Sequence, residues 1–291
     1  MEKIIDLQCH TTASDGKLSP KELVELAIAK GLFAIAITDH DTVDGIEEAV
    51  IASKNKPLEV ISGVEISCDD DGFIDTHILG LFINLKDRAL NLLLDNAKLY
   101  RDSQKKEIIL KFKKLGFKIS YNEVKSLAKG EVGRPHIAQV IFKNNRDKVK
   151  SVEDVFDKYL AVGKMAYAER KNKISVNRAI DAIHSAGGLA FVAHPGVYKN
   201  FNPEKFIKYF IGCGGDGIET FYDYSQSRFK ITKKENGKLI KKFSLMAQKL
   251  NALQTGGSDF HGKQGQELGK LKVPYVVLEN LKKHLRKKWN L

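Results

Sequence analysis

The chain has 291 residues, 43% hydrophobic and 29% charged, with a formal charge of +12. That balance fits a globular protein with a substantial core, either one large α/β domain or a domain with an insert. Its longest apolar runs, such as GLFAIAI, are strand-length, which excludes a membrane span of ~20 apolar residues, and the N-terminus lacks a signal-peptide pattern. Cys9, Cys68 and Cys213 are odd in number and show no CxxC spacing, so reduced thiols and a cytoplasmic location are expected. The positive charge favours polyanionic partners through phosphate neutralisation, although a lysine-rich surface kept for solubility gives the same bias.

KIIDLQ predicts the first strand. SPKELVELAIAKG follows as a helix, with Ser19 as N-cap, Pro20 at its first position, Glu22 completing a capping box and Gly31 ending it. FAIAIT, EVISGVEI and THILGLFI then read as strands. From about Leu90 to Ala168 the alternation stops, and only helical patterns are found. The first of these carries Lys98, Arg101, Lys105, Lys106, Lys111, Lys113 and Lys114, as a solvated helix face would. SVNRAIDAIHSAGG repeats the earlier helix design, and GLAFVAH, DGIETF and ALQTGGS supply three more strands. Strand, helix, strand in this order implies parallel pairing, in an α/β barrel or an open sheet. Residues 1–89 and 169–291 are thus expected to be two parts of one α/β domain, and 90–168 a helical insert.

Polar residues that could bind metal recur where these strands end. His10 and Asp15 follow the first strand, Asp39, His40 and Asp41 follow the second, and Glu65 ends EVISGVE. His77 begins the fourth, His194 ends GLAFVAH, and Asp259 and His261 follow QTGGS. Ligands of α/β proteins gather beyond the carboxyl ends of parallel strands, where separate loops converge. One such histidine is ordinarily a hydrogen-bonded core residue. Five of the eight, with several carboxylates, are not, because burying them together calls for a compensating cation. Mixed His/Asp/Glu ligation suits Mn²⁺ first, with Zn²⁺ or Fe²⁺ as alternatives.

The series DLQCHTTASDG, ITDHDTVDG, ISGVEIS, THILG, VAHPG and GSDFHG, in that order, resembles the motifs of the PHP (polymerase and histidinol phosphatase) family. GRPHIAQVI, VFDKYLAVGK and AIDAIHSAGGLAFVAHPG resemble the branch that acts on 3′,5′-bisphosphonucleotides and trims RNA from its 5′ end. The resemblance implies a distorted (β/α)₇ barrel with a helical, substrate-recognising insert, holding two to three divalent ions. Carried over residue by residue, the first ion would take position 8, His10, Glu65 and Asp259. Glu65 would bridge to a second ion held by His77 and His194, and Asp15, His40 and His261 would hold a third. The family has histidine at position 8; here it is Gln8, a neutral amide and a poorer ligand than imidazole. Asp259 and the proton-carrying candidates His194 and His261 would be catalytic, with metal-activated water as the attacking group. Arg134 and His136, flanking Pro135 in GRPH, would grip the substrate's second phosphate, with Lys164 a weaker candidate.

Tyr198 and Tyr222 follow strand ends and could stack a base or simply pack; His184 and His284 lie in helical patterns and are expected to be structural or exposed. The expected function is hydrolysis of phosphate from 3′,5′-bisphosphonucleotides, extending to 5′→3′ trimming of short RNA, with no membrane and no obligate protein partner. Two alternatives remain at this level. One is another small phosphomonoesterase, of the histidinol phosphate type, for which Arg134 would matter little. The other is a nucleotide- or RNA-binding module whose metal site Gln8 has weakened.

Overall fold

A computed structural model of the protein describes residues 3–128, 132–169, 173–198, 200–226 and 231–290. Its strands are β1 (Ile4–Cys9), β2 (Ala34–Ile37), β3 (Glu59–Asp70), β4 (Phe73–Leu81), β5 (Leu189–Val192), β6 (Gly217–Tyr222), β7 (Leu253–Gly257) and β8 (Val273–Pro274). The seven expected strands all form, and β8 is an eighth that sequence reading missed, because it is two residues long and half proline. They make one sheet in the order β7-β6-β5-β4-β3-β2-β1-β8. Beyond β7, Phe260 donates its N–H to the Gln8 carbonyl at 3.3 Å and accepts the His10 N–H at 2.8 Å, nearly closing the barrel against β1.

The expected parallel pairing holds for the strands joined through helices on either side of β4, but not for every strand. β1–β2–β3 and β5–β6–β7 are parallel, but β4 runs antiparallel to both β3 and β5, and β8 antiparallel to β1. The reason is local: Asp70 pairs with Phe73, leaving only Asp71 and Gly72 for the turn, and Gly72 has φ 81°. A loop this short can reverse a strand but cannot carry the crossover that a parallel neighbour needs.

Helices in chain order are α1 (Pro20–Ala29), α2 (Ile46–Ser53), α3 (Arg88–Lys114), α4 (Tyr121–Leu127), α5 (Arg134–Asn144), α6 (Val152–Val155), α7 (Val176–Ser185), α8 (Pro203–Gly212), α9 (Lys233–Lys249) and α10 (Tyr275–Trp289). α1 opens with the Ser19–Glu22 capping box and buries Leu23, Val24 and Ala27 along one face. The chain divides into two compact units: Met1–Leu94 with Ile174–Leu291, and Asp95–Lys173. The second unit has its own apolar core, including Phe112, Phe117, Ile137, Ile141 and Leu160, and no strand among its described residues. In the first unit, Ile5 and Leu7 join a core with Ala34, Ala36, Leu79, Phe191 and, from α10, Leu278 and Leu281. Asp6 and Gln8 alternate with those two along β1, with His10 just beyond its end, so the strand gives one face to packing and the other to polar chemistry. No described helix is long and apolar enough to cross a membrane.

Candidate metal centre

The barrel gathers the sequence-nominated ligands from six strands. His10 lies just past β1, His40 past β2, His194 past β5, and Asp259 and His261 past β7, while Glu65 sits within β3. His77 lies inside β4 rather than at its start. Because β4 is antiparallel, its early residues lie level with the carboxyl end of β5: Ile78 pairs with Val192, and Ala193 donates its N–H to the His77 carbonyl. Asp41, His194 and Asp259 all take left-handed backbone conformations, with φ of 50°, 31° and 50°. Such geometry costs a non-glycine residue on the order of 1–3 kcal/mol and concentrates at functional sites. Here it turns the chain sharply where strands end.

Glu65, fully buried, stands at the centre. Its Oε1 lies 2.7 Å from His77 Nδ1 and 2.8 Å from His194 Nε2, and those two nitrogens are 3.3 Å apart. Its Oε2 lies 3.0 Å from His10 Nε2 and 3.6 Å from His40 Nδ1. His10 Nε2 also lies 3.0 Å from Asp259 Oδ1. Asp15 Oδ1 approaches His261 Nε2 at 3.2 Å and His40 Nε2 at 3.9 Å. Ligand atoms fall into three overlapping groups, each within 4.8 Å: His10, Asp15, His40 and His261; His40, Glu65 and His77; His10, Glu65 and Asp259.

These groups fit divalent ions. His10 Nδ1 and Nε2, Asp15 Oδ1, His40 Nδ1, Glu65 Oε2 and Asp259 Oδ1 are buried without a hydrogen-bond partner, a costly state unless a cation shares their lone pairs. The tautomer of His261 sharpens the point. Its Nδ1 donates to the Asp259 carbonyl oxygen at 2.7 Å, so in the neutral ring the Nε2 lone pair faces the Asp15 carboxylate. Two lone pairs at that separation need a positive charge between them, and a backbone carbonyl holding the far nitrogen is how ligating histidines are oriented. Burial disfavours charge on His10 and His194, yet the adjoining carboxylates outweigh it, raising His10 and carrying His194 to about 9. Burial likewise works against an ionised Glu65, but His40, His77 and His10 hold it well below the usual range.

The residues around this cluster brace it. Asp39, placed by sequence among the metal candidates, accepts the Thr11 N–H and hydroxyl at 2.7 Å each and the Ser14 hydroxyl at 2.5 Å, pinning the loop after His10. Asp41 accepts the Ser67 N–H at 2.7 Å. Asp6 accepts the Ser258 and Gly269 N–H groups, tying β1 to the Asp259 loop. Gln8, between Asp6 and His10, is fully buried with neither amide atom hydrogen-bonded. Gly257 must be glycine beside it, since a Cβ there would fall 2.6 Å from Gln8 Cβ. Sequence reading missed Glu219, a fully buried carboxylate on β6 that accepts the His194 N–H at 2.7 Å; burial pushes its carboxyl well above the usual range. Its signal was a lone acid in the otherwise apolar GIETFY.

Of the two readings given for Tyr198 and Tyr222, packing is the one that burial favours, and both turn their hydroxyls to the backbone and side chains of the cluster. Tyr222 donates to Asp259 Oδ2 at 3.0 Å, and Tyr198 accepts the His77 N–H and donates to the Ala193 carbonyl, each at 3.0 Å. His184, half-buried, lies 2.7 Å from Asp216 Oδ2, a structural position. In the second unit, Arg134 and Pro135 open α5, and His136 Nδ1 accepts the Gly133 N–H at 2.9 Å, capping that helix. Lys164 is exposed.

Comparison with known proteins accords with this centre. Residues 6–169 match the model of the PHP domain. The chain belongs to the PHP family. A 5′-3′ exoribonuclease of Haemophilus influenzae is 39% identical over 93% of this chain and 94% of its own length. A 3′,5′-nucleoside bisphosphate phosphatase of Chromobacterium violaceum is 30% identical over 91% of this chain and 90% of its own. A solved structure from Bifidobacterium adolescentis, provisionally described as a metal-dependent phosphoesterase, superposes with a TM-score of 0.80 at 25% identity, over 96% of this chain and 95% of that one. With its clustered His, Asp and Glu ligands, this PHP protein is a metal-dependent phosphoesterase, a hydrolase of phosphate esters.

Proposed function

We propose that the protein hydrolyses phosphate from 3′,5′-bisphosphonucleotides and, by repeating the same chemistry, trims short RNA from the 5′ end. The observation that carries the reading is the Glu65 carboxylate with four imidazoles around it, and His261 beside Asp15 in the same cluster, joined to likeness over most of the chain to a bisphosphate phosphatase and a 5′-3′ exoribonuclease. Divalent ions at such a site supply charge neutralisation for the phosphoryl oxygens and an acidified water. Mn²⁺ is the ion we favour from the His/Asp/Glu donor set, ahead of Zn²⁺ and Fe²⁺. His10, Glu65, Asp259 and Gln8 through its Oε1 would hold one ion; Glu65, His77 and His194 a second; Asp15, His40 and His261 a third.

The chain's own residues do the rest. Glu65 presents one oxygen to the His77–His194 side and the other to the His10–His40 side, so it couples the groups electrostatically. Asp259 is kept in place by the Tyr222 hydroxyl, and His261 by the Asp259 carbonyl. His261 has both ring nitrogens engaged, whereas His194 Nδ1 has no hydrogen-bond partner. His194 and His261 are the candidates for carrying the proton to the leaving ribose oxygen, a role open only to a ring that is not committed to an ion. Arg134, with His136 and Lys164, is proposed to bind the phosphate that is not cleaved, because an arginine fork matches two phosphate oxygens. Three cysteines, none of them in a disulfide, favour a cytoplasmic setting.

The test is phosphate release from adenosine 3′,5′-bisphosphate by purified protein supplied with Mn²⁺. Activity should disappear in Asp259→Asn. Arg134→Ala should raise KM for the bisphosphate far more than for the corresponding monophosphate. Wild-type release no greater than that of Asp259→Asn would overturn the reading, and an Arg134→Ala protein indifferent to the second phosphate would favour a general phosphomonoesterase.

A further inference from the structure

The excess positive charge is not spent on the metal centre, whose ligands are acids and imidazoles. Part of it lies on the outside of the first unit. There α8 and α9, the two helices flanking β6 in sequence, border a groove of about 510 Å³. Lys208 on α8 and Lys238, Lys241, Lys242 and Lys249 on α9 line it, with Leu245, Met246 and Leu250 as its apolar portion. The α9 residues recur at helical spacing on the face opposite the buried Asn236, Phe243 and Ala247. Lys238 to Lys249 spans ~16 Å along the axis. Among the described residues, five lysines of the groove face one acid, Glu204, which pairs with Lys242 at 2.9 Å. Among the described residues the other four are in no ion pair, and all four are exposed.

Lysines in a row over an apolar strip suit a chain of phosphates whose sugars or bases rest on the strip. The groove is concave, which fits a strand laid along it better than a flat bilayer surface. Among the described residues it has no aromatic lining, so little base preference is expected.

We propose that the α8–α9 groove binds the backbone of a single-stranded RNA, adding affinity for longer substrates while leaving the chemistry on small bisphosphonucleotides untouched. This rests on the RNA-trimming reading above. It goes beyond that reading in naming a surface, remote in sequence from the Arg134 segment, that would make RNA a better substrate than a mononucleotide.

The experiment compares wild type with a Lys238→Ala/Lys241→Ala/Lys249→Ala triple variant. Binding of a 5′-phosphorylated single-stranded RNA of about 20 nucleotides is titrated without divalent ion at several salt concentrations. Hydrolysis of the same RNA and of adenosine 3′,5′-bisphosphate is followed with Mn²⁺. Loss of three phosphate contacts should lower the slope of log affinity against log salt by about 2 and raise KM for RNA on the order of tenfold. Turnover of the bisphosphate should be unchanged. An unaltered RNA affinity and salt slope overturns the proposal, as does an equal loss on the bisphosphate. So does lysine-dependent binding of phosphatidylserine vesicles with RNA affinity intact. If the wild type hydrolyses neither substrate, the functional reading fails, while the metal-free RNA titration still decides the groove.

Discussion

The two ends of the barrel treat buried charge in opposite ways. At the amino end of β6, Asp216 is nearly buried but fully partnered: it accepts the Ala190 N–H at 2.8 Å, lies 2.7 Å from His184 Nε2, and accepts a further bond from Lys288 of α10. At the carboxyl end, Glu65 Oε2, Asp15 Oδ1, Asp259 Oδ1 and both His10 nitrogens are buried without a hydrogen-bond partner. The first arrangement is complete with protein groups alone and serves to join α7, β5, β6 and α10. The second is not complete, and the left-handed residues that build it add strain. Incompleteness of this kind is what distinguishes a ligand site from a structural ion-pair network, more than the residue types do.

Exchanging one acid at each end should therefore give opposite phenotypes. Glu65→Gln should lower phosphate release on the order of 10²–10³-fold, while the metal-free protein unfolds in urea no more easily than wild type. Asp216→Asn should keep turnover per folded molecule and lose about 2 kcal/mol of unfolding free energy. Its pH dependence has a defined sign. Burial alone would raise the Asp216 carboxyl, but His184, Lys288 and the Ala190 N–H prevail and hold it below its ordinary 3.8. The stabilisation is thus complete above that value and is lost as pH falls through the lower native-state value. Urea titrations across the acid range should show a shallower decline in Asp216→Asn than in wild type. The smallest effect is expected at Gln8. Gln8→His should raise bound metal and turnover together, by about tenfold in affinity, the scale on which changes around a metal site are felt. A Gln8→His protein unchanged in both would mean the amide is a tolerated neighbour rather than a weak ligand.

Much of this was legible in the residues. The seven strands are short, apolar and β-branched, and the N-caps Ser19 and Ser175 start their helices as the pattern predicts. The candidate cluster is legible because imidazoles and acids recur after successive strands. The direction of β4 was not drawn from the pattern, although Asp71-Gly72 is a hairpin signal, because the alternation with helices elsewhere argued for crossovers. Roles set by packing direction are beyond a linear pattern. Asp39 and His40 are adjacent, yet one pins a loop and the other faces the ligand cluster. Tyr198 and Tyr222 could stack or pack by sequence alone, and only their hydroxyls on Ala193 and Asp259 separate the two.

The central claim is that the crowded end of the barrel exists to hold divalent cations through Glu65. Equilibrium dialysis of wild type and Glu65→Gln against Mn²⁺, followed by metal counting per chain, tests it directly. Wild type should retain two to three ions per chain and Glu65→Gln should lose most of them. A wild type that retains none, or a Glu65→Gln protein that retains as many, would contradict the account.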